Sequence, residues 1–313
     1  MFDMEIRTLR YFAAVAREEN MTRAATQLHV SQPTLSKQMK ALERELGHKL
    51  FVRHSFSIEL TAEGRLLRER AEDLIGLADR IENDFLALGD ITGGDLYLGL
   101  AESYQVGLLA RQLKLLKQEC PGLHYHITSG DTEQVTEKLD RGLLDFAAIV
   151  EEPDGERFSR YEALPLPVAD RWGVVMRRDD ALAGEAAITV EDLVGLPLFC
   201  SEQSWSRDIP AWAGGRMADL HLEGTFRLPY NGSVFAREGL GYLLTFDRLT
   251  DTSTSSGLVF RPLAPALESR MYLIWRRQQA LSPIAERFLT RLRASLADDG
   301  TDAGRGNKRD GND

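Results

Sequence analysis

Hydrophobic positions recur along this chain with two different periods, and the change of period divides it. From Met4 to Glu19, Leu9, Phe12, Ala13 and Ala16 fall on one helical stripe, and Asn20 interrupts it. Thr22 to Leu28 is again rich in helix formers and is broken by His29-Val30-Ser31 just before Pro33. Ser31 suits the N-cap of a third helix, Pro33 falls in its first turn where a missing N–H costs nothing, and Gly47 suits its end. On that helix Leu35, Met39, Leu42 and Leu46 share one face. Pro33, Lys37, Lys40 and Arg44 share the opposite one, flanked by Thr34 and Ser36. Leu50 to Val52 and Ile58 to Leu60 read as the strands of a hairpin, with His54-Ser55-Phe56-Ser57 at its tip.

From Gly64 to Gly89 the spacing predicts one long helix. Leu67, Ala71, Leu74, Ala78, Ile81, Phe85 and Leu88 alternate spacings of four and three, a seam that calls for a partner helix. Ile91-Thr92-Gly93-Gly94 reads as a flexible joint. Beyond it, strands and helices alternate: strand Leu96 to Leu100, helix Val106 to Gln118, strand Leu123 to Thr128, helix Glu133 to Arg141, strand Asp145 to Val150. Such alternation implies parallel βαβ units. Arg160 to Leu166 leads through Pro165 and Pro167 into a separate strand, Arg171 to Arg178. Further elements are expected near Leu198, Leu222, Val234 and Leu243. Strands at Leu258 to Arg261 and Met271 to Trp275 follow, then a last helix, Pro283 to Leu296, with Ile284, Phe288, Leu289 and Leu292 inward.

A helix with one apolar and one cationic face fits the major groove of a duplex, where short polar side chains reach base edges and Lys or Arg reaches phosphates. Ala24 and Ala25 permit a close helix crossing, and Leu28 and Val30 can pack under the turn, as a helix-turn-helix requires. The net charge of −10 does not oppose this, because it is unevenly spread: residues 1 to 65 carry ten Lys and Arg against eight Asp and Glu, and the remainder carries −12. Phosphate attraction acts over about 8 Å, so a local basic face suffices.

The run A-A-T-Q-L-H-V-S-Q-P-T-L-S-K-Q-M-K-A-L-E-R-E-L-G-H-K-L-F-V-R, followed by L-T-A-E-G at Leu60 to Gly64, resembles the LysR-type transcriptional regulators. The resemblance implies an α/β chain of three parts. A winged helix-turn-helix spans 1–63, a linker and dimerisation helix 64–90, and a periplasmic-binding-protein-like effector domain 91–297. Within the last, subdomain I is 91–165 with 270–297 and subdomain II is 166–269, joined by crossovers near Leu164 to Val168 and Ala264 to Ser269. Residues 298–313, with almost no hydrophobic side chain, are expected to be a disordered tail. DNA contacts are expected from Arg23, Gln32, Pro33, Thr34, Ser36, Lys37, Lys40 and Arg53. In the family a second basic residue often sits in the wing, and here Phe56 stands near that place.

In open α/β sheets, small ligands bind beyond the carboxyl ends of strands and on helix N-termini. That rule selects Ser103, Ser129, Thr132, Ser201, Ser204 and Asn231 as effector contacts, with Phe246 as an apolar wall, at positions where the family places its effector. Polar caps suit a small organic anion, and the neighbouring Glu102, Asp131 and Glu202 oppose one. Dimerisation is assigned to Leu67, Leu74, Ile81, Phe85 and Leu88. Family membership implies a homodimer or homotetramer, double-stranded DNA and a small-molecule effector as partners, and RNA polymerase if the regulator activates.

Other classes fit less well. The alternative is a solute-binding protein or sensor without a transcriptional role, which would leave the cationic helix unexplained and need an export signal. There is no H-E-x-x-H, G-x-S-x-G or G-x-x-x-x-G-K pattern, so an enzyme is not expected. Gly239-Leu240-Gly241 has Leu244 where a dinucleotide motif needs glycine, and Cys120, His124 and His126 offer no convincing fourth metal ligand, so neither cofactor nor metal is expected. Cys120 and Cys200 are read as packing residues. No apolar run reaches 18 residues and the N-terminus is not a cleavable apolar segment, so a cytoplasmic location is expected.

Overall fold

The computed structural model describes residues 4–54, 57–87 and 92–303. The chain forms two compact units, Met1–Gly89 and Asp90–Asp313.

In the first unit, α1 (Ile6–Glu18) buries Leu9, Phe12, Ala13 and Ala16 as the stripe predicts. Asn20 caps α2 (Met21–Gln27), its side chain accepting the amides of Thr22 at 2.9 Å and Arg23 at 3.0 Å. Ser31 caps α3 (Gln32–Leu46) by accepting the Thr34 amide at 3.3 Å, and Gly47 ends it at a φ of 73°. That left-handed conformation is the one glycine adopts without penalty. Leu35, Met39 and Leu42 are buried against α1, and Leu46 packs at their edge. The hairpin strands are β1 (Phe51–Arg53) and β2 (Ile58–Leu60), paired antiparallel with Phe51 opposite Leu60. Phe56 lies outside the described residues, as does the side chain of Arg53.

The long helix, α4 (Ala62–Ala87), starts two residues earlier than its hydrophobic pattern predicts, because Thr61 caps it. The Thr61 hydroxyl accepts the Gly64 amide at 2.9 Å and donates to the Lys49 carbonyl at 2.7 Å. Gly64 marks a close crossing: a Cβ there would lie 2.2 Å from the Leu50 carbonyl oxygen. Arg10 of α1 reaches Asp79 of α4 at 2.6 Å. The seam on α4 is divided. Ala71 is buried in the unit's own core, with Leu67 and Ile75 packed against it, so Leu67 does not belong with the exposed residues expected to pair. Leu74, Ile81 and Phe85 are 43%, 51% and 73% exposed. Leu88 lies outside the described residues.

The second unit runs β3 (Gly93–Leu100), α5 (Val106–Glu119), β4 (Gly122–Ser129), α6 (Thr132–Asp140), β5 (Phe146–Ile149), α7 (Gly155–Phe158) and β6 (Tyr161–Arg177). It continues with β7 (Pro197–Ser201), α8 (Glu202–Ala213), β8 (His221–Phe226), α9 (Pro229–Arg237), β9 (Tyr242–Phe246), β10 (Leu258–Pro262), β11 (Glu268–Arg276) and α10 (Pro283–Ala303). The strand order is β4-β3-β5-β11-β6-β9-β7-β8, with β10 on β6. The pairs β3–β4, β3–β5, β7–β8 and β7–β9 are parallel, as the βαβ reading requires.

Each half of this sheet has its own core. In subdomain I, Leu96, Leu98, Phe146 and Leu273 pack against Leu109 and Leu113 of α5 and against Phe288 and Leu292 of α10. The other face holds Val135 and Leu139 of α6 with Phe158. In subdomain II, Val174, Leu198 and Leu244 pack against Ile209 of α8, and Leu243 and Leu258 against Ala236 of α9.

Three expectations are corrected. Gly93 and Gly94 begin β3 instead of forming a flexible joint. A Cβ on Gly93 would come within 2.8 Å of Gly122, so small size here serves a close strand pairing. The stretch expected as two strands broken at Pro165 and Pro167 is the single strand β6 of 17 residues. From Tyr161 to Arg171 its ladder partner is β11, which leaves one side of the strand open, and strands with an open side are where proline is tolerated. Residues 298–303, expected as the start of a disordered tail, continue α10; residues 304–313 lie outside the described residues.

Candidate functional site

The first candidate surface is the outer face of α3. Its apolar face is fixed in the core, so Gln32, Pro33, Thr34, Lys37 and Lys40 are necessarily turned to solvent, and all five are exposed; Ser36 is half-buried beside them. The Thr34 hydroxyl sits 2.8 Å from the Ser31 hydroxyl and so belongs partly to the cap. Neither Lys37 nor Lys40 has an ion-pair partner among the described residues. Arg23, on α2, is engaged: its Nε lies 3.3 Å from Glu18 Oε2 and its guanidinium donates to the Glu18 carbonyl, tying α2 to the end of α1.

Periodicity and capping signals do not reveal how α3 is tied to the hairpin behind it. Glu43 is 7% exposed, and its Oε1 accepts the amides of Leu50 at 2.9 Å and Phe51 at 3.4 Å. Lys49 Nζ approaches the other carboxylate oxygen at 3.3 Å. A buried carboxylate answered by two amides and a cation is stable where an unanswered one is costly, so Glu43 fixes the angle between helix and wing.

The second candidate site is a cavity of about 300 Å³ between the two subdomains of the second unit. Subdomain I contributes Ala101 and Glu102 after β3, Gly130 and Asp131 after β4, and Val150 after β5. Subdomain II contributes Ser201 to Ser204, Thr225 to Pro229, Leu244 to Phe246 and Leu249, and Trp172 enters from β6. Every contributing loop but the last two lies at the carboxyl end of a parallel strand or the start of the helix after it, as the general rule for open sheets requires.

The seven expected effector contacts divide sharply. Ser201, Ser204 and Phe246 line the cavity. Ser103 does not. It is buried, and its hydroxyl donates to Asp170 Oδ2 at 2.5 Å while accepting the Gln105 amide at 2.9 Å. Asp170, 4% exposed, also accepts the Tyr104 amide at 3.2 Å; burial is the larger influence and pushes its carboxyl above the ordinary range. Thr132 is turned to Gln203 across the cleft and is 1% exposed. Ser129 is exposed at the end of β4 and outside the lining. Asn231 faces a different hollow, with Phe199, Phe235 and Leu240.

Several lining residues escaped the sequence reading as contacts. Glu102 and Arg227 come within two residues of the ends of β3 and β8, so the strand-end rule could have found them. Trp172 could not be found that way, because it comes from the strand that bridges the subdomains. Its ring meets Phe246 edge-on at 4.5 Å, and its Nε1 donates to Ser269 at 2.9 Å, which fixes the indole.

Two family models match the chain: the bacterial regulatory helix-turn-helix protein of the lysR family over residues 6–65, and the LysR substrate binding domain over residues 90–297. The chain belongs to the LysR family of transcriptional regulators, with a helix-turn-helix DNA-binding part and an effector-binding part. It is 29% identical to the Hca operon transcriptional activator HcaR of Escherichia coli K12 over 300 residues, 94% of this chain and 99% of that one. It is 31% identical to the hydrogen peroxide-inducible genes activator of Pectobacterium carotovorum over 245 residues, 77% and 80% of the two chains. Full-length CbnR complexed with its target DNA has the same fold, with a TM-score of 0.71 at 22% identity over 93% of this chain and 100% of that one. Among the described residues no helix is long and apolar enough to cross a membrane.

Proposed function

We propose that this regulator reads duplex DNA with the outer face of α3. Gln32, Pro33, Thr34 and Ser36 meet base edges, and Lys37 and Lys40 meet phosphates, with Arg53 of the wing and Arg23 as flanking contacts. Arg23 engages by exchanging or sharing its Glu18 partner. The observation that carries this reading is the clean division of α3 into a buried face, Leu35, Met39 and Leu42, and an exposed face with two lysines that no carboxylate among the described residues pairs. Leu74, Ile81 and Phe85 pair α4 with a second chain, which sets two recognition helices on successive turns of a two-fold-related site. Leu88 belongs to the same proposed seam.

The effector occupies the cavity between subdomains, against Ser201, Ser204 and Phe246, and shifts the relation of the two subdomains and with it the spacing of the paired chains on DNA. In this reading Ser103, Ser129, Thr132 and Asn231 do not touch the effector directly. The protein works in the cytoplasm, where its DNA is, and turns over no substrate. The test is selection of genomic fragments by the purified full chain: recovered fragments sharing a two-fold-related sequence support the reading, and recovery indistinguishable from bulk DNA overturns it.

A further inference from the structure

Resting on the reading that this cavity takes the effector, we propose that the ligand is a compact organic cation. It would be an amine protonated at neutral pH, with its ammonium facing Glu102 and its body against Trp172 and Phe246.

The Glu102 carboxyl is the point of departure. It is half-buried in the cavity wall, and among the described residues no hydrogen bond or ion pair holds it. Other buried carboxyls of this unit are answered: Asp170 by Ser103 and the Tyr104 amide, Glu151 by Arg157 and Arg207, Asp145 by the Tyr97 amide. A partly desolvated charge without a partner costs stability, and such a group inside a cavity is matched by what enters the cavity. Burial alone raises the Glu102 carboxyl above its ordinary value of 4.5.

The rest of the lining agrees in sign. It carries Glu102, Asp131 and Glu202 against Arg227; Glu202 and Arg227 are both exposed, and Asp131, Glu202 and Arg227 all border a neighbouring hollow, which leaves Glu102 as the charge peculiar to this cavity. At the two capped helix starts the cap takes one amide each, that of Gln134 by Asp131 in a capping box and that of Ser204 by Ser201, and a carboxylate, Asp131 or Glu202, stands at each. The start of α9 has no side-chain cap, but Pro229 removes one of its amides. An organic anion, the ligand suggested by capping residues alone, therefore meets a carboxylate at both capped helix starts. A cation meets a carboxylate that no group among the described residues answers, beside the packed rings of Trp172 and Phe246. About 300 Å³ suits a molecule the size of benzylamine.

The test titrates the full chain with benzylamine, benzyl alcohol and benzoate, three probes alike in shape and different in charge. The proposal expects benzylamine to bind and to raise the melting temperature, with both other probes weaker. Glu102→Gln, which keeps the shape, should weaken benzylamine by about tenfold or more, because one partner of a desolvated charge pair is removed. The unliganded variant provides a second measurement. Because the folded carboxyl is shifted up, its ionised form destabilises the native state, so Glu102→Gln should melt no lower than wild type at neutral pH. Any advantage should vanish as pH falls below the carboxyl's ordinary 4.5.

Failure to bind benzylamine, tighter binding of benzoate, unchanged benzylamine affinity in Glu102→Gln, or a variant that melts lower at neutral pH overturns the cation assignment. Benzoate binding that is lost in Phe246→Ala would leave the cavity as the effector site while rejecting its ligand class. DNA retention measured on the same protein reports separately on the regulator reading.

Discussion

Thr132 and Gln203 join the two subdomains through a reciprocal pair of hydrogen bonds. The Thr132 amide donates to Gln203 Oε1 and Gln203 Nε2 donates to the Thr132 hydroxyl, both at 3.1 Å. Thr132 opens α6 in subdomain I, and Gln203, itself part of the cavity lining, lies in the first turn of α8. The salt bridge between Glu151 and Arg207 closes the same side. A ligand entering the cavity thus meets the two halves already held together. Gln203→Ala removes two bonds worth roughly 1 kcal/mol each, so exchange of the Thr132 amide should accelerate by about tenfold or more in hydrogen-exchange mass spectrometry. Unchanged protection would mean that the pair does not restrain the subdomains.

Lys37 and Lys40 stand on the exposed face of α3 without ion-pair partners among the described residues. If each neutralises one phosphate, Lys37→Ala and Lys40→Ala should each lower DNA affinity and reduce the slope of log affinity against log salt by about 0.9. Fluorescence anisotropy across a salt series measures both quantities. A variant with wild-type affinity and slope does not touch a phosphate through that residue.

The exposed part of the α4 seam can be separated from the part used by its own unit. Leu74→Asp with Ile81→Asp changes residues 43% and 51% exposed, so the fold should survive while self-association weakens. Light scattering should report a smaller mass at equal concentration, with the circular dichroism spectrum unchanged. An unaltered mass removes this seam from the assembly.

Gly64 lies where α4 passes the end of the α3–β1 connection, with no room for a side chain. Gly64→Ala sets a methyl group 2.2 Å from the Leu50 carbonyl oxygen, and the neighbour is backbone that cannot turn away. Overpacking of this kind costs about 1–3 kcal/mol, and thermal melting of the full chain should show it as a transition several degrees lower. A melting temperature equal to wild type would show that the crossing can open without cost.

Both cysteines are buried, and neither forms a disulfide. Burial pushes the Cys200 thiol far up, with nearby Asp208 adding to the shift, so the reactive thiolate is suppressed at neutral pH. Arg287 Nη1 lies 3.0 Å from Cys120 Sγ in the core of subdomain I. Titration with a thiol reagent should find neither cysteine reacting in the native protein and both reacting in denaturant. Rapid native modification of Cys200 would contradict the packing role.

The legible parts of this chain are those in which local chemistry decides the outcome. Ser31, Pro33 and Gly47 mark α3 because capping and left-handed φ act within a few residues, and strand-helix alternation reveals the parallel units for the same reason. The illegible parts depend on partners far away in sequence. Ser103 and Ser201 both follow strands, yet Asp170, 67 residues beyond Ser103, draws that hydroxyl away from the cavity, and Gln203, 71 residues beyond Thr132, claims the threonine. The α4 seam has one period throughout, and period alone does not distinguish Leu67, packed on its own unit, from Leu74, left exposed. Trp172 entered the cavity through the continuity of β6, which its two prolines concealed.

The central claim is that α3, held by Glu43 against the wing, is presented to the edges of a DNA duplex. It is tested most directly by competition binding of a selected genomic fragment in excess unrelated duplex at moderate salt, with wild type and Lys37→Ala side by side. The account predicts that wild type retains the selected fragment preferentially and that the variant loses affinity with a shallower salt dependence. Equal retention of selected and unrelated duplex by the wild-type protein would contradict it.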